Sequence, residues 1–338
     1  MIIVTLMVLA PLIVGLICIV PSNINNLFRI SIIGSFAFLA IAFYCCIPTM
    51  TGEIINESIW YIDSLSAFFL LITAFISFTA ILYSKNYIKM ELEEGLLNVK
   101  EIKRFYFTMF LFISAMLMTF AVRSAALTWI GIGITTLVSA FLVALYKDER
   151  ATEAAWKYIM LCSVGITLAL FGVAMVFAAS TGVIPDGEAL DWPALVLNAM
   201  NLNPVFMKFA AIFFIIGLGT KAGLAPLHNW LPDAHSQAPS PVSAMMSGVL
   251  LNCAMYGIMR FYSISEIMNP GFARYILLVL GIISLLIAAA SILISKDFKK
   301  MLAYSSVENI GLMAIGLGIG TPLALFGTMF VVLAHSIC

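Results

Sequence analysis

Charge is what this chain has least of. Only 10% of its 338 residues are Asp, Glu, Lys or Arg, 63% are hydrophobic, and mean hydropathy is +1.09. A soluble globule needs more polar surface than that, so a polytopic membrane protein is predicted. Cysteine is sparse and unpatterned: Cys18, Cys45, Cys46, Cys162, Cys253 and Cys338 all fall inside apolar runs without CxxC spacing. That excludes a disulfide framework or a metal site as a reading of the sequence and leaves them as small lipid-compatible residues. Nucleotide loops, soluble domains, low-complexity linkers and cofactor cradles are all missing, so neither a cofactor nor a nucleic-acid partner is predicted, and any electron chemistry belongs to a partner. No basic residue precedes the first apolar run and no small-residue cleavage pattern follows it, which reads as a retained helix and not a signal peptide.

What is there is a series of apolar runs near 2–20, 28–50, 64–84, 105–123, 125–146, 154–180, 205–225, 240–263, 273–295, 301–320 and from 322 onward. Each approaches the roughly 20 residues that cross a bilayer, so eleven transmembrane helices are expected. The odd-numbered connections carry Arg29, the Lys85–Arg104 group, Lys147, Arg150, Lys157, Lys296, Lys299 and Lys300. The even-numbered ones hold Arg123, Arg260, Arg274 and, at one edge, Lys208, together with the acids Glu53, Glu57, Asp63, Asp186, Glu188 and Asp191. Basic loops stay in the cytoplasm, which places the odd connections there and the N-terminus outside.

One lysine interrupts an uncharged run. Lys221 lies between Phe209 and Leu227 and is followed by Ala222-Gly223-Leu224-Ala225-Pro226. A lysine at bilayer depth costs several kcal/mol and is seldom kept for packing, so a charge or proton pathway is the first hypothesis; the plain alternative is an ammonium that snorkels to water. From there to Ala244 the chain carries Pro226, Pro232, Pro239 and Pro241 among polar residues, including His228, Asp233 and His235. Irregular backbone at membrane depth is predicted, of the kind that marks ion sites in transporters.

The stretch Lys221 to Ala244, then Gly248-Val249-Leu250-Leu251 and Tyr256-Gly257-Ile258-Met259-Arg260, resembles the antiporter-like proton-channel subunits of respiratory complex I, of multi-subunit sodium/proton antiporters and of energy-converting nickel-iron hydrogenases. A second motif, Lys299-Lys300-Met301-Leu302-Ala303-Tyr304-Ser305-Ser306-Val307-Glu308-Asn309-Ile310-Gly311, is similar to the same family, its Val-Glu-Asn variant most like the hydrogenase-4 component F type. The resemblance runs from about residue 60 onward. It implies an all-α fold of inverted five-helix repeats, with helices 1 to 3 and a cytoplasmic loop over 1–104, a first repeat over 105–263 broken at Lys221–Pro226, and the start of a truncated second repeat over 273–338. The implied partners are other membrane subunits and a peripheral redox arm of nickel-iron hydrogenase or quinone oxidoreductase type, in a prokaryotic inner membrane.

Residue by residue, Lys221 matches the lysine that takes up and releases a proton in the family. Burial disfavours its charged form, which makes release accessible to lysine and not to arginine. The family pairs this lysine with an acid on helix 5, yet this chain has Ile130 and Gly133 at the two positions where relatives carry one, and no acid between Phe105 and Tyr146. Asn252 stands where some relatives have a second lysine and reads equally as a water relay or a structural interhelical amide. Glu308, about one and a half turns inside the helix that starts near Met301, is a further ionisable candidate, with pairing to Lys299 or Lys300 as the alternative; His335 matches a pathway histidine, with packing as the alternative. Lys157, with Glu153 one turn earlier, matches a family lysine or is a solvated i,i+4 pair. His228, Asp233, His235 and Pro226 form the broken-helix loop, a candidate proton mouth or hydrogen-bonded clip.

Three functions are compatible with these residues: a proton-conducting subunit of a redox complex, a subunit of a sodium/proton antiporter, and a non-pumping scaffold of the same fold.

Overall fold

The computed structural model describes residues 2–338. Helices α1 (Ile2–Ile19) and α2 (Ile24–Met50) lead into a short antiparallel hairpin, β1 (Ile55–Glu57) and β2 (Trp60–Ile62), with Asn56 opposite Tyr61. Then follow α3 (Ser64–Glu93), α4 (Val99–Ala121), α5 (Ala125–Val143), α6 (Glu149–Ser180), the short α7 (Trp192–Leu197) and α8 (Pro204–Ala222). The rest comprises α9 (Trp230–Gln237), α10 (Ser240–Met245), α11 (Leu251–Met268), α12 (Phe272–Ile294), α13 (Phe298–Ile319) and α14 (Pro322–Ile337). The hairpin is the exception to an otherwise helical chain.

Polar caps set where helices begin. Asp63, Asn98, Asp148 and Asp297 each accept a backbone N–H from the first turn of α3, α4, α6 and α13, satisfying donors that hydrocarbon could not. Among the described residues ten helices are long and apolar enough to cross a membrane, counting α10 and α11 as the single span Ser240–Met268. The eleventh predicted segment forms α14, whose 16 residues extend only about 24 Å, short of the hydrocarbon core.

The core sits on two spans. Over their most apolar 18 residues, 83% of positions are buried in Ser240–Met268 and 78% in α4, against 22% in α12, so the span that follows the broken helix is sheathed by the others. Five of the six cysteines are buried against protein and only Cys338 is exposed, so packing and not lipid contact explains most of them.

The predicted break is present but shorter than expected. Backbone departs from helix over Gly223–Asn229 and again at Ala238–Pro239, while Trp230–Gln237 folds as α9 and Pro241 occupies the first turn of α10, where its missing N–H is harmless. Gly223 ends α8 in the left-handed region at φ +86°, a conformation that glycine adopts without a Cβ clash. The Ala225–Pro226 peptide is cis.

The connections gather at two ends. At one, Arg123 pairs with Asp191 at 2.8 Å and with Glu188 at 3.7 Å, and the backbones of Trp60 and Val122, and of Ser124 and Asp191, form bridges. At the other, Lys147 meets Glu101, Tyr146 donates to Glu91 at 3.1 Å, and Asp233 lies 3.4 Å from Lys157 and 2.8 Å from Lys300. Even connections thus meet at one end and odd connections at the other. Arg260, counted above among loop residues, is instead inside α11 and 8% exposed, and Lys208 is inside α8. The charge bias between the ends does not depend on either.

Candidate functional site

Lys221 occupies the last turn of α8 and is fully buried. Its Nζ donates to the Tyr158 hydroxyl of α6 and lies 4.5 Å from the Tyr158 ring centre and 5.7 Å from that of Trp230. Snorkelling is therefore not what this lysine does. Tyr158 shares a 2.7 Å hydrogen bond with Ser139 of α5, and Trp230 of α9 donates its Nε1–H to the Thr220 carbonyl at 2.9 Å. The aromatic rings themselves pack with centroids 4.7 Å apart.

Glycine makes this meeting possible. A Cβ on Gly217 would lie 2.6 Å from the Gly165 carbonyl oxygen and 2.5 Å from the Ala169 nitrogen, so α6 and α8 touch backbone to backbone. Small residues permit that approach between membrane helices. Tyr158 stands ten residues into α6, about 14 Å from its start, so Lys221 lies well inside the bundle.

A second polar cluster surrounds Asn252. The span before it contains one π-helical turn, Met246–Leu250, whose wider winding redirects backbone carbonyls. The Gly248 carbonyl accepts from Asn252 Nδ2 and from Ser336 Oγ, both at 2.8 Å, and Asn252 Nδ2 also reaches Ser336 Oγ at 2.9 Å. One residue earlier, Ser247 Oγ lies 2.8 Å from Ser306 Oγ and 3.4 Å from His335 Nε2. His335 is partly buried. His235 packs close by, its Nδ1 3.1 Å from Ser243 Oγ. Asn252 Oδ1, His235 Nε2 and His228 Nδ1 are buried without a protein partner, which is where ordered water is expected.

Charges collect at the odd-connection end. Lys157 bonds Glu153 at 2.7 Å, the predicted i,i+4 pair, and also reaches Asp233 at 3.4 Å; Lys300 reaches the other Asp233 oxygen at 2.8 Å. Burial alone would raise the Asp233 carboxyl, but hydrogen bonds and charge from Lys300 and Lys157 outweigh it and hold the carboxyl below the usual carboxylate range. Burial, reinforced by His335 and Lys299, pushes His235 down to about 3, so its imidazole is neutral at neutral pH. His228 is also shifted down by burial, and its ring packs edge-on to Tyr304 at 6.2 Å. Pro226 is exposed. Glu308 is half-buried in α13; the alternative of pairing with Lys299 or Lys300 is not realised, because Lys299 donates to the Ala238 carbonyl at 3.0 Å and Lys300 to Asp233.

The structure thus brings Asp233 together with Lys157, groups Asn252 and His335 around the π turn, and leaves Lys221 apart from every one of these side chains. The residues missed in the sequence are hydroxyls: Tyr158, Ser139, Ser247, Ser306 and Ser336.

Comparison with known proteins bears on what such a bundle is. Residues 122–338 match the family described as the transmembrane region of NADH:quinone oxidoreductase and Mrp antiporters. The chain belongs to this family. Within it, the hydrogenase-4 component F homolog of Methylacidiphilum infernorum (isolate V4) is 38% identical over 284 residues, covering 83% of this chain. The chain spans 59% of that relative's length. Among solved structures, a chain of the membrane-bound sulfane sulfur reductase, an archaeal respiratory membrane complex, superimposes with a TM-score of 0.86 at 25% identity over 99% of this chain and 68% of its own. A chain of respiratory complex I from Thermus thermophilus shares the fold, with a TM-score of 0.71 at 22% identity over the same shares. That relative is named as a component of hydrogenase-4, and the two solved chains come from respiratory complexes.

Proposed function

We propose that this chain is a proton-translocating membrane subunit of a hydrogenase-4-like or complex I-like redox assembly, and that Lys221 is its central proton carrier. The observation that carries the proposal is a fully buried lysine at the end of a broken helix, held by a hydroxyl and two aromatic faces with no carboxylate beside it. Such an amine can lose its proton, because burial opposes its charge and nothing fixed compensates for it.

Beyond Lys221, the route runs through Asn252 and the Ser247–Ser306–His335 group, with water at the unpartnered atoms and Glu308 as a flanking acid. Lys157, Asp233, His228 and His235 form its mouth at the odd-connection end. That end is cytoplasmic by its excess of basic residues, which puts the N-terminus outside; similarity to bacterial relatives supports a prokaryotic inner membrane. Partner subunits with a peripheral redox arm, of nickel-iron hydrogenase or quinone oxidoreductase type, supply the electron chemistry. Neutral hydroxyls and an amine around the central position favour protons over sodium, which hard carboxylate oxygens would suit better.

In membrane vesicles containing the whole assembly, Lys221→Ala is expected to abolish proton translocation while subunit composition stays intact. Translocation at the wild-type rate in a fully assembled Lys221→Ala complex would reject the role.

A further inference from the structure

The helix that packs beside Lys221 and Tyr158 carries no acid. Between Phe105 and Tyr146, the stretch that includes all of α5, there is no Asp or Glu, and the α5 group joined to Lys221 through Tyr158 is the hydroxyl of Ser139. We propose that Tyr158 takes over the task a carboxylate would perform, as the positioning residue that holds the Lys221 ammonium and sets the pH at which it lets its proton go. The inference rests on reading Lys221 as the proton carrier.

Hydrogen-bond directions support the assignment. Ser139 Oγ gives its own proton to the Thr135 carbonyl at 2.6 Å, so at 2.7 Å it accepts the Tyr158 O–H. The Tyr158 oxygen then presents lone pairs to Lys221, whose N–H donates to it. Tyr158 is itself fully buried, and the Trp230 ring packs beside it, 5.7 Å from the ammonium. The titratable groups facing Lys221 are Tyr158 and Cys162 from α6 and Cys253 from α11, all neutral in their protonated forms; α9 contributes the Trp230 ring. No fixed negative charge is present among them.

A hydroxyl differs from a carboxylate in serving both states of the lysine. It accepts from the ammonium, and after release it can rotate and donate to the free amine, whereas a carboxylate stabilises the ammonium alone. In the release step one Lys221 N–H bond breaks and the proton passes to water. Tyr158 keeps its own proton, so no charge is stranded on the phenol.

The test is proton flux as a function of pH in native membrane vesicles carrying the full-length protein in its assembly, with Lys221→Ala as control. Tyr158→Phe keeps the ring and removes the oxygen. Flux is expected to fall about tenfold, the size of one hydrogen bond to a charged group, and its pH profile to move to lower pH because the ammonium has lost its acceptor. Thr136→Asp, at the α5 position whose hydroxyl also faces Tyr158, is expected in the Tyr158→Phe background to move the profile back toward higher pH. Ser139→Ala, which leaves Tyr158 in place but frees its hydroxyl, is expected to shift the profile in the Tyr158→Phe direction by less, and keeps the test available if Tyr158→Phe assembles poorly. A hydroxyl that only packs would leave the Tyr158→Phe and Ser139→Ala profiles unmoved. Unmoved profiles with flux abolished in Lys221→Ala overturn the role of Tyr158 and leave Lys221 as carrier; wild-type flux in Lys221→Ala overturns both.

Discussion

Lys221 is affordable because three modest terms meet one cost. Insertion scales put a lysine at the centre of a membrane helix at about 2.5–3.5 kcal/mol unfavourable. A desolvated cation over an aromatic face recovers about 2 kcal/mol, and a hydrogen bond from a charged group about 1.5–3 kcal/mol. With rings at 4.5 and 5.7 Å and a hydroxyl acceptor, neutral groups alone meet that cost and no counter-charge locks the ammonium, which suits a group that must change state. Arg260 shows the opposite solution. Its guanidinium makes two 2.6 Å bonds to the Asp63 carboxylate, a 2.8 Å bond to Ser66 and a 3.0 Å bond to Tyr256, and it stacks on Tyr61 at 5.3 Å. This ion pair ties the start of α3 to α11 and is built to stay charged. Asp63→Asn leaves the guanidinium buried without its counter-charge, at an expected cost of about 3–5 kcal/mol in unfolding free energy. Burial raises the Asp63 carboxyl, but the Arg260 bonds and charge bring it below its ordinary range. A depressed carboxyl contributes fully above the unfolded value, near pH 4, and loses its contribution as pH falls through the folded value. Thermal unfolding in detergent between pH 2 and 7 checks both; an Asp63→Asn loss below about 1 kcal/mol, or one that does not shrink at low pH, contradicts the assignment.

At the scale of helices, the decisive contact is the one that sets Tyr158 against Lys221, and it depends on the absence of side chains. Gly217 faces Gly165 and Ala169 so closely that no Cβ fits without moving backbone. Gly217→Leu is expected to separate α6 from α8, lower stability by about 1–3 kcal/mol and reduce flux as strongly as Tyr158→Phe does, while Gly133→Ala, at a position where an added Cβ meets nothing within 4 Å, is expected to leave both unchanged. Thermal stability and flux measured on the two variants separate a packing requirement from a general intolerance of glycine substitution; equal losses in both would refute it. These contacts also show what could be read from sequence. The break after Lys221 was legible because Gly223 and Pro226 stand in an apolar run and have a local meaning. Tyr158 was not, since its role comes from α5 and α8, far away in sequence. A signal existed nonetheless: Tyr158, Cys162, Gly165, Ala169 and Gly172 recur at three- and four-residue spacing, a stripe of small residues headed by one tyrosine, all buried. The serines around His335 gave no such signal, because most also bond their own helix and look like ordinary membrane-helix hydroxyls. Ser306 accordingly donates to Leu302 and Ser336 to Val332. The π turn at Met246–Leu250 left no mark in the apolar pattern.

For the whole molecule, the two ends of the bundle are electrically different and each is stitched by its own ion pairs. Asp233 joins Lys157 and Lys300 from separate connections at one end, and Arg123 joins Glu188 and Asp191 at the other. Pairs of this kind between partly exposed partners contribute little stability, so their value lies in fixing which connections share an end. That arrangement turns the charge bias into a geometric expectation: every odd connection is accessible from one side of the membrane and every even connection from the other. The exposed Glu94 lies in the connection after α3 and the exposed Asp186 in the connection after α6. Because the five other cysteines are buried, replacing Cys338 with serine gives a background with little native reactivity toward a membrane-impermeant maleimide. In that background, on intact cells, Asp186→Cys is expected to label at once and Glu94→Cys only after the membrane is opened, as basic connections retained in the cytoplasm require. The reverse pattern would turn the molecule over and place the Lys157–Asp233 mouth outside. Equal labelling of both positions would break the sidedness on which either direction of transport depends.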